Sequence, residues 1–211
     1  MQTVDTRANQ LRLLGFLGLT AVLILAWSAV HPHDYFTWFL EVIPALIGWT
    51  LLAVTYRRFP VSNLFYLAVW LHSIILIVGG HYTYAEVPLF NWIRDTLHTQ
   101  RNSYDGIGHL AQGFFPALYA REILLRLKVL DRQRKGWVFF LVVCVCFAFS
   151  AFYELIEWWV AIATGSKGDA FLGTQGDIWD TQKDMALCLV GSVVFLLLFS
   201  RLHDRSMERP K

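Results

Sequence analysis

Polar residues are missing from this chain in long blocks. Six apolar stretches, near 12–30, 35–56, 61–80, 104–126, 136–164 and 181–201, are separated by short polar connections. A helix rising 1.5 Å per residue needs about 20 apolar residues to cross about 30 Å of hydrocarbon, so each stretch predicts a transmembrane helix. The expected fold class is all-α: a polytopic membrane helix bundle of about six spans, forming a single domain over residues 1–211. Pro44 and Pro116 fall inside the second and fourth spans and predict kinks there. The first span, preceded by Arg7 and Arg12, is longer than a usual signal core and is read as an uncleaved anchor, although Ala26-Trp27-Ser28 weakly resembles a cleavage site.

Composition agrees, with 56% hydrophobic and 16% charged residues where a soluble domain carries about 25% charged. The three cysteines, Cys144, Cys146 and Cys188, lie inside apolar runs and read as small core residues. The net charge of +2 matters less than its distribution. With a cytoplasmic amino terminus, fourteen of the 18 Lys and Arg residues fall on the inner side and four, Arg94, Arg101, Lys167 and Lys183, on the outer side. The positive-inside rule then puts both termini in the cytoplasm. It also accounts for the basic residues, so no nucleic-acid partner is implied; the partner is the lipid bilayer.

The remaining acidic and histidine residues crowd toward the outer ends of the spans. Asp105, His109 and Gln112 stand at i, i+4 and i+7 on the fourth span, Glu154 and Glu157 at i and i+3 on the fifth, and Asp177, Asp180 and Asp184 lead into the sixth. An unpaired carboxylate in hydrocarbon costs at least about 2.5 kcal/mol, so these stripes should face one another or a wet cavity. Several carboxylates with an imidazole, converging from different helices, make a ligand set for a divalent metal ion. The expected metal ligands are Asp105, His109, Asp180 and Asp184, with Glu154 or Glu157 as general base. Arg94 and Arg101 would hold an anionic group, and His81, Gln112 and Asp177 would complete the substrate-binding wall. Two other readings of the same residues stay open: a satisfied polar network, and a small proton- or cation-coupled transporter. A structural membrane partner without catalysis is a third class.

Two outer loops flank this region. Residues 87–98 predict a short interfacial helix, begun by Pro88 and striped by Phe90, Ile93 and Leu97; residues 165–177 hold four glycines that can bring backbone amides near an anion. Trp38, Trp92, Trp158, Trp159 and Trp179 fit an aromatic belt. Glu122 and Arg126 read as a solvated i, i+4 salt bridge, and Glu41 and His72 as interhelical hydrogen-bond partners.

The runs His81-Tyr82-Thr83-Tyr84-Ala85-Glu86-Val87-Pro88, Tyr104-Asp105 with His109, Tyr153-Glu154-Leu155-Ile156-Glu157-Trp158 and Leu172 through Met185 carry a resemblance. They resemble the YjdF-like family of bacterial inner-membrane proteins over nearly the whole chain. The resemblance implies a multi-pass inner-membrane location and brings no mechanism with it. More remotely, an acidic helix end followed by Asp-rich residues opening a last helix is similar to VanZ-like envelope proteins linked to glycopeptide resistance. The site residues themselves point to an outer-face enzyme or headgroup-binding protein acting on a lipid or envelope component.

Overall fold

The computed structural model describes residues 2–165 and 168–208, with backbone alone for residues 2–7 and 169. Lys167, Arg209 and Lys211, three of the cations counted above, lie outside the described residues, as does the side chain of Arg7.

Helices fill nearly all of the described chain: α1 (Gln2–Ser28), α2 (Tyr35–Thr55), α3 (Asn63–Tyr82), α4 (Pro88–Leu97), α5 (Tyr104–Arg126), α6 (Lys135–Thr164), α7 (Asp169–Leu172), α8 (Asp180–Leu198) and α9 (Ser200–Glu208). Local chemistry sets the boundaries. Asp34 caps α2 by accepting the Thr37 amide at 2.6 Å, and Ser62 caps α3 by accepting Phe65 N at 3.2 Å. That Ser62 cap is why α3 starts at Asn63 rather than at Val61. Pro88 occupies the first turn of α4, and His98, at φ 54°, closes it in the left-handed region. Both α2 and α5 run on through Pro44 and Pro116. The last span is shorter than expected: α8 stops at Leu198, and α9, amphipathic and separate, takes the remaining residues.

Five helices, α1 (from Ala8), α2, α3, α6 and α8, are long and apolar enough to cross a membrane. The 23-residue α5 is long enough but too polar, because it carries Asp105, His109, Arg121, Glu122 and Arg126. It is also central, packing along α8 most extensively and against α3 and α6; α2 and α1 lie on α3. The α5–α8 seam is a backbone-to-backbone approach. A Cβ on Gly113 would lie 1.8 Å from the Cys188 carbonyl oxygen, and one on Gly191 2.1 Å from that of Leu110. Only glycine permits this, and membrane helices use small residues at interfaces for that reason. Phe65, Val69, Ala117, Leu118, Val142, Cys146, Cys188 and Phe195 form the core around the seam, while Leu23, Ile47, Val54, Phe149 and Leu197 face outward. All three cysteines are free thiols; Cys146 and Cys188 are core residues as expected, but Cys144 is exposed on the outer surface of α6.

The end of the bundle near the α5 carboxyl terminus is tied by a polar knot. Glu122, 0% exposed, accepts Ser62 N and Ser62 Oγ at 2.6 Å each, Arg126 Nε at 2.6 Å and His203 Nε2 at 2.9 Å. Arg121 donates to His203 Nδ1 at 3.1 Å and to Asp204 at 2.7 Å. The Glu122–Arg126 pair is therefore not a solvated surface bridge. Folding α9 back over α5 removes it from water.

Candidate metal centre

At the opposite end, the ladder of α5 brings Asp105, His109 and Gln112 onto one face, and the glycine seam holds that face against the first turns of α8. His109 Nε2 lies 3.4 Å from Asp105 Oδ1 and 4.0 Å from Asp184 Oδ2. The candidate ligand atoms of these three residues all fall within 4.8 Å of one another. Ligand atoms sharing one ion at 2.0–2.6 Å are separated by about 3 to 4 Å, so these three residues could hold one ion if they drew together by about 1 Å. The other imidazole nitrogen, Nδ1, meets Gln112 Oε1 at 3.1 Å and faces Glu154 Oε1 at 3.8 Å. With the Gln112 oxygen accepting, Nδ1 carries a proton and Nε2 faces two carboxylates. Metal-bound histidines are held the same way, through the distal N–H. A lone pair facing two carboxylates is repulsive unless a proton or cation lies between them.

Glu154 and Glu157, both buried on α6, close the side of the pocket; Glu154 Oε1 has no hydrogen-bond partner. Asp180, the fourth expected ligand, is placed differently: its Oδ1 is taken by the Arg101 guanidinium. Arg101 also pairs with Asp177 at 3.0 Å, donates to the Gly173 carbonyl at 3.3 Å and approaches Asp105 at 3.9 Å. It is a clasp over the acidic residues, and its charge is committed to them rather than offered to an anion. Asp177 belongs to this rim. Lys183 beside it, then the Trp179 amide and Arg101, hold its carboxyl down at about 2.

Gln112 meets His109, as above. His81 sits at the α1–α3 junction, where Nδ1 meets the Ser28 carbonyl oxygen at 2.9 Å and the ring packs 4.4 Å from Trp27. Arg94 pairs with its neighbour Asp95 on α4. The glycine-rich loop folds over the site: a Cβ on Gly173 would stand 3.9 Å from Asp105 Oδ2, and Gly173 lines a cavity of about 540 Å³ with Ala85, Leu172, Thr174, Gln175 and Gly176. Gln175 fixes the loop by exchanging hydrogen bonds with the Asn102 backbone at 3.0 and 3.1 Å.

Three residues outside the expected set share the pocket. Glu41 of α2 is buried within electrostatic range of Asp105, His109 and Tyr84; Tyr153 is within range of Glu41, Asp105 and Glu157. Tyr84 is placed by strained backbone: Thr83 before it has φ 55° and ψ 149°, a conformation a β-branched residue rarely adopts. Its ring fills the space left by Gly79 and Gly108, where a Cβ would lie 2.3 and 2.6 Å from it. Glu41 was visible in sequence as an ionisable residue inside an apolar span; nothing in periodicity places Tyr84 there.

Of the five tryptophans expected in a belt, Trp92, Trp158, Trp159 and Trp179 are exposed. Trp38 is drawn inward to donate to Ser28 Oγ at 3.0 Å. The apolar side chains of α4 divide: Phe90 packs 5.2 Å from the Tyr104 ring, whereas Leu89, Trp92 and Leu97 face out.

A family model described as "Predicted membrane protein (DUF2238)" matches residues 13–205. The "Inner membrane protein YjdF" of Escherichia coli (strain K12) is 48% identical over 204 residues, 97% of each chain. These matches bear out the likeness to YjdF-like proteins and lend none to the VanZ-like one. No solved structure matches the chain.

Proposed function

From the premise that this chain belongs to the DUF2238 membrane-protein family and is a multi-pass protein of the inner membrane, we propose that it binds one divalent cation through Asp105, His109 and Asp184. The reading rests on one observation above the rest: His109 Nε2 is set 3.4 and 4.0 Å from two carboxylate oxygens while its other nitrogen is held by Gln112. In this proposal α5 crosses the membrane as a sixth span, both termini are cytoplasmic, and the pocket opens to the periplasmic side. The substrate is a lipid or another envelope component reaching the pocket at the outer leaflet. A bound divalent ion supplies Lewis acidity toward a phosphoryl or carbonyl oxygen, or toward water. Glu154, with Oε1 buried and free of hydrogen bonds, is the proton acceptor, and Glu157 one turn away adds its charge. Arg101 keeps Asp177 and Asp180 neutralised at the rim.

Elemental analysis of purified protein tests this beside an Asp105→Ala, His109→Ala double variant. Wild type should carry about one equivalent of metal and the double variant far less. Chelation should lower the thermal midpoint, and an ion present at 100 times its dissociation constant should restore about 2.7 kcal/mol of stability. The Asp105→Asn variant should insert normally and lose most of that response. A wild-type protein indifferent to chelator and added ion would leave the cluster as a hydrogen-bonded polar core.

A further inference from the structure

The basic end of the bundle holds a cavity of its own, remote from the metal centre. About 400 Å³ in volume, it lies where the α5–α6 loop meets α9, lined by Leu125, Leu130 and Met207 together with Arg126, Lys128 and Arg132. Asp131, also on the wall, is engaged as a turn acceptor, its Oδ1 taking the Gln133 amide at 2.9 Å. Arg126 shares its charge with Glu122, and Arg132 with Asp204 and Glu208. Among the described residues Lys128 has no ion pair. Its backbone, at φ 57°, forms the left-handed turn that ends α5, with Val129 N bonded to the Leu124 carbonyl at 3.0 Å. The turn points Leu127 and Val129 outward on either side of it, 58% and 62% exposed.

We propose that this cavity is a site for one anionic phospholipid of the adjacent leaflet. Its phosphate would lie against Lys128, between Arg126 and Arg132, and its acyl chains along Leu127 and Val129. The combination points to lipid rather than to a free anion. The cations share the cavity with Leu125 and Leu130, and two exposed aliphatic side chains flank Lys128, the cavity's cation without an ion pair; the lipid reading rests on the proposed sixth span, of which this is the end. Basic pockets between membrane helices recognise acidic headgroups in this way. A bound lipid would also bridge the α5–α6 loop to α9, because Arg132 already joins the two.

The test is native mass spectrometry of the full chain from mixed micelles containing phosphatidylglycerol or phosphatidylcholine. Wild type should retain one phosphatidylglycerol in preference to phosphatidylcholine. Lys128→Gln should weaken that retention about fivefold, the worth of one interfacial cation. Lys135→Gln, which removes an exposed charge outside the cavity, should leave it unchanged. Equal retention of the two lipids would overturn the proposal, as would an equal loss in Lys135→Gln, which would indicate diffuse attraction. Displacement of the lipid by millimolar inorganic phosphate would overturn it too, in favour of a free-anion site.

Discussion

His203 shows how a single protonation state is specified. Arg121 donates to its Nδ1, so that nitrogen must carry a lone pair, and Nε2–H is left to donate to Glu122. Burial pushes the imidazole below its ordinary value of 6.5, outweighing the pull of Glu122. The unfolded imidazole takes up a proton near 6.5 and the folded one resists, so the stabilisation is complete above 6.5 and is lost as pH falls through the lower, folded value. The thermal midpoint of wild type should therefore fall on acidification from pH 7 toward 5, and His203→Gln should flatten that slope; parallel slopes would show that another group is responsible. Glu122→Ala, which strands Arg126 and the Ser62 amide, should cost about 3 to 5 kcal/mol, read as a lower midpoint at pH 7. Asp177 at the other end has the opposite window. Its depressed carboxyl contributes above 3.8 and yields only as pH falls toward about 2, so the rim stays paired at any neutral pH.

Among the elements, the α5–α8 pair decides whether a site exists. Its glycines let two backbones touch, and Asp105, His109 and Asp184 meet one or two turns above that contact. Gly113→Ala should raise intrinsic helix propensity by about 1 kcal/mol yet force α5 away from α8, because its new Cβ would meet a backbone carbonyl that cannot rotate aside. The expected result is an inserted protein with a lower midpoint and no thermal response to divalent ion. Gly18→Ala on α1, where nothing lies within 4 Å, should be neutral or mildly stabilising. Helix existence was readable in sequence because hydropathy acts locally, and the ends moved by a few residues where Ser62 or Leu198 set them. Tertiary neighbours were not readable. Periodicity places Asp105 and His109 on one face but does not say that Arg101 would reach over to Asp180. Nor does it say that α2 would bring Glu41 alongside, or that α9 would cover Glu122.

The whole molecule is polarised, with carboxylates gathered at one end and cations at the other. If the basic end is cytoplasmic, reporter fusions at residue 131 and at the carboxyl terminus should read cytoplasmic, and fusions at 98 or 170 periplasmic. A periplasmic reading at 131 would invert the molecule and move the proposed ion site to the cytosol. One further consequence comes from the polarity of α5, whose 23 residues include five Asp, Glu, Arg or His side chains. Such a segment is a poor candidate to partition into lipid by itself, since its charges lie toward both ends and leave a short apolar middle, and any of them drawn to the bilayer centre would cost about 2.5 to 3.5 kcal/mol. During synthesis it emerges well before α8, the helix that covers its polar face. The nascent chain should therefore hold α5 at the translocon, or leave it only partly inserted, until α6 and α8 arrive. Truncated chains that end at residue 165 and are released from the ribosome should leave α5 extractable or protease-accessible in vitro, and released chains that end at residue 208 should not. The cluster of Asp105, His109 and Asp184 would then form late, as the closing act of biogenesis, and on the proposed reading a nascent chain could not capture an ion before its last span had docked.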